Sequence, residues 1–125
     1  MLFASGFSVF FGGDTLFVPE QAEVANRSQP IDLALLPING LAIRLLGNLK
    51  VVMNAEDAAK LCAILRPRFA VPIHYEFSAG PVLDRILYKY AGSTEQFAKA
   101  VEKLAPETTV RVLSPGESLQ LRAPV

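Results

Sequence analysis

The stretch SVFFGGDTLF, residues 8–17, decides the fold. Its first four residues predict a buried strand, which runs into two glycines that form a turn before Asp14. A Gly-Asp turn often has only a structural role. In layered α/β folds, however, binding sites collect at the carboxyl ends of the strands. The stretch therefore predicts a strand that presents one carboxylate at the edge of a sheet.

Two further apolar segments predict neighbouring strands. Residues 31–38 (IDLALLPI) are almost continuously apolar, which is typical of a strand covered on both faces. Residues 69–75 (FAVPIHY) predict a shorter strand that ends near His74. Because Pro72 cannot donate a hydrogen bond to a sheet, we expect this strand to be at an edge or irregular there.

Helix signals separate these strands. Asn54 is a good N-cap with Asp57 three residues later, and the helix that they begin stops at Pro67. Ser93 begins a second capping box. The remaining predicted elements are two strands within residues 2–11, a short helix after residue 18, a loop or hairpin at 39–52, a helix over 81–90, a helix ending before residue 106 and a closing hairpin at 109–122. We expect a single mixed α/β domain over residues 1–125.

The composition excludes several classes of function. Twelve basic residues balance twelve acidic ones and are scattered, so nucleic-acid binding is not expected. No apolar run is long enough to span a membrane. A single cysteine, Cys62, is expected in a helix core and fits a reducing cytoplasm. The chain is 51% hydrophobic, with a mean hydropathy of +0.33, which predicts an apolar face for a partner or a further domain.

Two residues stand out as candidate metal ligands. Asp14 and His74 both follow apolar strands, at the edge where sites form in this class of fold. A carboxylate and an imidazole are suitable ligands for zinc or a similar divalent ion. Two ligands are too few, and there is no second histidine. Other acids could add oxygen ligands, although their spacing does not demand it: Asp32, Glu56, Asp57 and Glu76.

Four motifs carry a resemblance to a known family. In order along the chain they are SVFFGGDT, DLALLPING, MNAEDAAKL and FAVPIHYEF, and VRVLSPGESLQL follows them. Together they resemble the carboxyl-terminal half of a metallo-β-lactamase-fold, metal-dependent hydrolase. The branch with ascorbate-6-phosphate lactonase-like enzymes and N-acylphosphatidylethanolamine-hydrolysing phospholipase D is the most similar. The resemblance covers almost the whole chain.

The resemblance implies a fold and a site. The family fold is an αβ/βα sandwich of two similar halves, so this chain would be one half: a mixed β-sheet with helices on one face. Asp14 matches the aspartate that bridges two metal ions, and His74 matches a histidine ligand of the second ion. The implied cofactor is a divalent metal such as zinc, manganese or iron. Asn39 and Gly40 would lie in a loop near the substrate, but Leu41 stands where many relatives have arginine.

The family's main metal motif, H-x-H-x-D-H, is not among these 125 residues. The resemblance therefore implies a half that is inactive alone and is completed by self-association, as a homodimer, or by an amino-terminal partner half. Two alternatives stay open. One is an active hydrolase of a phosphodiester or lactone, with its metal site built across a dimer or with a half supplied in trans. The other is a binding module without enzymatic activity.

Overall fold

The computed structural model describes residues 2–4, 6–13, 16–23, 30–74, 80–89 and 92–122. In these ranges the strands are β1 (Leu2–Ala4), β2 (Phe7–Phe11), β3 (Leu33–Pro37), β4 (Ala42–Ile43), β5 (Leu49–Lys50), β6 (Phe69–Ile73), β7 (Tyr88–Lys89) and β8 (Thr109–Val110). The α-helices are α1 (Ala55–Leu65), α2 (Pro81–Ile86) and α3 (Thr94–Leu104), and 3₁₀ turns cover Pro19–Gln21 and Arg44–Leu46. No helix in the described ranges is long and apolar enough to cross a membrane.

The strands form two sheets. In the main sheet the order is β1-β2-β3-β6-β8, with β1 antiparallel to β2 and every other pair parallel. A small antiparallel sheet has the order β5-β4-β7. The parallel register aligns Phe11 with Leu35 and Leu35 with Val71. This mixed sheet agrees with the α/β class predicted from the sequence.

Helices α1 and α3 pack against each other, and α1 packs on strand β3. Both helices begin at the predicted capping boxes, where Asn54 Oδ1 accepts from the Asp57 amide at 2.9 Å and Ser93 Oγ accepts from the Gln96 amide at 3.2 Å. Their apolar stripes meet the sheet in one buried cluster: Phe10, Ala34, Leu36, Ala70, Ala58, Leu61, Cys62, Leu65, Phe97 and Val101. The helices therefore cover one face of the main sheet, as the resemblance implies.

The opposite face of the main sheet is only partly covered. Along β2, Ser8 and Phe10 are buried, whereas Phe7 and Val9 are partly exposed and Phe11 is 55% exposed. On β3 the outward residues Leu33 and Leu35 are also partly exposed. Within the described residues, the prediction of cover on both faces of residues 31–38 is thus met fully on the helical face and in part on the other, where Pro37 is buried but Leu33 and Leu35 are partly exposed. Among the described residues, the apolar face of β2 and β3 opposite the helices is therefore partly open to solvent.

The prediction for Pro72 is confirmed. Among the described residues, strand β8 pairs with β6 only at Phe69 and Ala70, so the strand pairing on that side of β6 ends before Val71. The carbonyl of Ala70 faces β8 and that of Ile73 faces β3. Because the backbone groups of successive residues point to alternate sides of a strand, the nitrogen of Pro72 faces the same side as Ala70, beyond the last residue that pairs with β8. The missing N–H therefore costs the sheet no hydrogen bond.

Three predicted elements differ from the structure. After Val18 the chain forms a 3₁₀ turn with helical backbone at residues 22 and 23, and residues 24–29 lie outside the described ranges. Helix α2 ends at Ile86 because residues 88 and 89 pair with β4 instead. The closing hairpin keeps its turn, but only β8 is a strand, and β8 joins β6 rather than residues 118–122. The segment at 39–52, predicted as a loop or hairpin, is a hairpin of β4 and β5.

Candidate metal centre

The carboxyl ends of β2, β3 and β6 lie at one edge of the main sheet. At this edge the Gly12 amide donates to the Leu35 carbonyl at 2.8 Å, and the Ile38 amide donates to the Ile73 carbonyl at 3.2 Å. These bonds extend the parallel ladders to the ends of the strands. The three strands therefore leave the sheet at nearly the same level.

His74 is the first residue after β6 at this edge, and its side chain is exposed. Its backbone is left-handed, with a φ of 58°. Asp14 lies outside the described residues. The turn before it is described as far as Gly13, which also has a positive φ of 59°. The structure thus brings His74 and the beginning of the Gly-Asp turn to the same edge, although 61 positions separate Gly13 from His74 in the sequence.

Asn39 and Gly40, the candidates for a substrate loop, are buried after β3. The Asn39 Oδ1 accepts from the Leu41 amide at 3.2 Å, which closes a local turn, and the Gly40 amide donates to the Met53 carbonyl at 3.1 Å. Asn39 also forms an isolated antiparallel bridge with Asn54. These contacts give the loop a structural role in joining β3 to the start of α1, and its contact with substrate stays a prediction.

Asp32 is at the other end of the sheet from His74. Its Oδ2 accepts from the Ser8 amide at 2.9 Å, and its Oδ1 accepts from Arg68 Nη1 at 3.1 Å. Burial opposes ionisation of this carboxyl, but the Ser8 and Arg68 hydrogen bonds together hold its pKa below the ordinary value. The possibility that Asp32 adds an oxygen ligand at the candidate edge is therefore wrong, because strand polarity places it at the amino ends.

Two of the other candidate acids lie on helix α1 and are paired with lysines, and the third falls outside the described residues. Asp57 forms an ion pair with Lys50, and Glu56 lies 3.4 Å from Lys60 on the helix surface. Glu76 lies outside the described residues. Within the described ranges, no three His, Cys, Asp or Glu side chains form a group that could hold a metal ion. The role of His74 as a metal ligand stays a prediction.

Cys62 is fully buried in the helix–sheet core, as expected. Burial raises the pKa of its thiol to about 12. At neutral pH the group is therefore a thiol rather than a thiolate, and a thiol is a poor metal ligand and nucleophile. Cys62 has a packing role.

A groove beside His74 was not predicted from the sequence. It has a volume of about 600 Å³ and lies between the end of β6 and a turn at residues 114–117, and its lining includes Val71, Pro72, Ile73, His74, Leu113 and Glu117. The turn is closed by the Glu117 amide, which donates to the Ser114 carbonyl at 2.9 Å. The SPGE sequence indicates this turn, but only the parallel pairing of β8 with β6 carries it to the His74 edge.

A larger cavity of about 860 Å³ lies on the helical side of the molecule. It is lined by the starts of α1 and α3 and by Lys99 and Lys103. Of the candidate ligands, only Glu56 is among its described lining residues, and Glu56 is paired with Lys60. The amides of Asp57 and Gln96 at the two helix starts are bonded to the capping side chains. We therefore place the candidate centre at the sheet edge and not in this cavity.

The parallel strands, the helical cover on one face and the histidine at the strand ends define a half-sandwich of the kind found in metallo-hydrolases. The profile of the β-lactamase superfamily domain matches residues 1–75. The chain belongs to this superfamily.

Individual relatives agree with the assignment. The chain is 34% identical over 116 residues to a UPF0173 metal-dependent hydrolase of Pyrococcus furiosus and 36% identical over 117 residues to one of Thermococcus onnurineus. Each match covers 93% of this chain but 42% of the relative. The solved structure of Igni18, a metallo hydrolase of Ignicoccus hospitalis, superposes with a TM-score of 0.70 at 28% identity, over 98% of this chain and 44% of Igni18. The chain thus spans about two fifths of the length of these relatives.

Proposed function

We propose that the chain is the carboxyl-terminal half of a metal-dependent hydrolase and is inactive until an amino-terminal half completes it. One observation carries this proposal. The strands β2 and β6 end at one sheet edge, which gathers the Gly12–Gly13 turn and His74 although they are distant in sequence. In a chain of this superfamily, that edge is a suitable place for a metal centre.

In this proposal Asp14 and His74 each provide one ligand of a divalent metal ion, which is zinc, manganese or iron. A carboxylate oxygen and an imidazole nitrogen are a donor set that such ions accept. Bound there, the ion would lower the pKa of a water molecule and polarise the substrate. The remaining ligands come from the other half, because the described residues hold no complete group of ligands.

The open face of the main sheet supports the same proposal. Phe11, which is 55% exposed, and the partly exposed Val9 and Leu35 form an apolar surface over β2 and β3. Removing apolar area from water contributes about 25 cal/mol per Å² of favourable free energy, which the loss of translational and rotational freedom on association partly offsets. We propose that the other half of the sandwich covers this surface, either within one longer polypeptide or as a separate chain. A second copy of this chain is the other occupant that the proposal allows.

Complementation tests the proposal. The chain is co-expressed with the amino-terminal part of the Pyrococcus furiosus relative, and hydrolysis of a generic phosphodiester and of a lactone is measured with added Zn²⁺ or Mn²⁺. We expect activity from the pair, none from the chain alone, and loss in Asp14→Ala and His74→Ala. Glu102→Gln, an exposed carboxylate on α3, is the matched control and should keep the activity.

Two results would contradict the proposal. The first is hydrolysis by the isolated chain that disappears in Asp14→Ala, because it would show that this chain builds an active centre from its own residues. Light scattering would then tell whether a dimer does so. The second is a complemented pair that binds no metal, which would favour a binding module without enzymatic activity.

A further inference from the structure

Three parallel strands leave the main sheet through a left-handed residue at the same edge. After β2 this residue is Gly13, with a φ of 59°, and after β3 it is Gly40, also with a φ of 59°. After β6 it is His74, with a φ of 58°. Glycine adopts this conformation without strain because it has no Cβ, whereas histidine does not. Two of the three exits thus use the residue that suits the backbone, and the third does not.

The structure leaves His74 little freedom to relax. The Ile73 carbonyl accepts from the Ile38 amide at 3.2 Å, which fixes the peptide immediately before His74. The ring of Pro72 restricts the backbone one residue earlier. The chain therefore enters position 74 in a defined direction. Since the side chain of His74 is exposed, core packing does not explain why a histidine is present there.

We propose that the strained, left-handed backbone at His74 sets the direction in which the imidazole leaves the strand ends. A glycine at this position would be more stable but would carry no imidazole. This inference rests on the proposed role of His74 as a metal ligand. A backbone strained at a functional site is a recurring way to hold a side chain in one direction before its ligand binds. His74 is then a ligand whose direction is set by its own backbone.

Urea unfolding of wild type and three variants tests the inference. We expect His74→Gly to be the most stable, His74→Asn intermediate, and His74→Ala the least stable of the three, since alanine keeps the strain and loses the side chain. The unfolding equilibrium constant of His74→Ala should exceed that of His74→Gly by about fivefold or more. His74→Gly should also be more stable than wild type.

A matched pair at an exposed position without a positive φ serves as the control. Glu107 is exposed and is not among the left-handed residues of the described chain. There the order should invert, with Glu107→Gly less stable than Glu107→Ala, because glycine loses more conformational freedom on folding. Backbone chemical shifts of His74→Ala should still show a positive φ at residue 74.

Metal binding is read separately, during titration with Zn²⁺, on the imidazole NMR signals of the single histidine of the isotope-labelled chain in complex with the unlabelled amino-terminal part of the Pyrococcus furiosus relative. We expect a shift of these signals in wild type that weakens in Asp14→Ala. If His74→Ala is as stable as His74→Gly, or if its residue 74 relaxes to a negative φ, the proposed backbone strain is wrong, regardless of the result of the Zn²⁺ titration. If the stability order holds but Zn²⁺ leaves the imidazole signals unchanged, the proposed metal role fails, and with it the reason inferred for the strain.

Discussion

Arg68 and Asp32 form an ion pair across the amino-terminal end of the main sheet, with Nη1 of the arginine 3.1 Å from Oδ1 of the aspartate. The other carboxylate oxygen accepts from the Ser8 amide at 2.9 Å. This one side chain thus connects β2, β3 and the residue before β6. It stabilises the end of the sheet that lies opposite the candidate metal centre.

Removing the charge of Asp32 should therefore destabilise the protein. We expect Asp32→Asn to lower the free energy of unfolding by about 1–3 kcal/mol. The substitution removes a negative charge, while the Ser8 amide and the Arg68 guanidinium that bond to it remain. Urea unfolding at pH 7 measures this loss. Glu56→Gln removes a carboxylate that is 69% exposed and, among the described residues, is paired with Lys60, so it should change stability by less than about 0.5 kcal/mol. Equal effects of the two substitutions would contradict the prediction.

The same carboxyl should make stability depend on pH in the acid range. The pKa of Asp32 in the folded protein lies below the ordinary 3.8. The ionised form therefore stabilises the fold fully at pH values above the pKa that Asp32 has in the unfolded chain. This stabilisation is lost as pH falls through the folded pKa. The difference in urea midpoint between wild type and Asp32→Asn should therefore be full at pH 6 and shrink below about pH 4. A difference that is constant from pH 6 to pH 3 would show that another effect is responsible.

A side chain at Gly92 should not be tolerated. A Cβ built there would lie 1.8 Å from the Ile38 carbonyl oxygen and 3.3 Å from the Ala55 nitrogen, and both are backbone atoms. We expect Gly92→Ala to lower the free energy of unfolding by about 3 kcal/mol or more, since the backbone at residue 92 must move away from Ile38 and from the start of α1. Gly47→Ala is the control, because it adds strain at a φ of 68° but meets no atom within 4 Å, and it should cost about 1 kcal/mol. Thermal unfolding followed by circular dichroism compares the two.

Adjacent phenylalanines on β2 should respond in opposite ways. Phe10 is 7% exposed in the core, so Phe10→Ala should cost about 3–5 kcal/mol. Phe11 is 55% exposed on the open face, so Phe11→Ala should lower the free energy of unfolding of the isolated chain by less than about 1 kcal/mol. Instead, Phe11→Ala should weaken association with the complementing half, as measured by light scattering or calorimetry. An intact affinity in Phe11→Ala would place the partner elsewhere.

The two long helices were predictable because capping is a local interaction. Asn54 with Asp57 and Ser93 with Gln96 each satisfy amides within one turn, and the helix that is predicted to stop at Pro67 ends at Leu65 in the structure. The helix predicted over 81–90 was too long for a non-local reason. Residues 88 and 89 pair with β4, about 45 positions earlier in the chain, and that pairing replaces the last helical turn.

The candidate site also has features that were predictable from the sequence and features that depend on strand pairing. Asp14 and His74 were proposed from the sequence, because each follows an apolar strand and matches a position in a known family. The exclusion of Asp32 from that edge and the position of the turn at residues 114–117 beside His74 were not predictable. Both depend on which strands pair and in which direction, and short strands of similar composition leave these choices open.

By itself the sequence determined the mixed α/β class, both capped helices, the edge character of Pro72 and the family. Local hydrogen bonding and side-chain chemistry are sufficient for the first three features, whereas the family rests on the resemblance of several motifs in order along the chain. Only the tertiary structure decided that Phe10 is core and Phe11 is open surface, and that Gly13, Gly40 and His74 leave one edge through left-handed residues. Burial depends on what lies over each face of a sheet, and a shared edge depends on the pairing of strands distant in the chain.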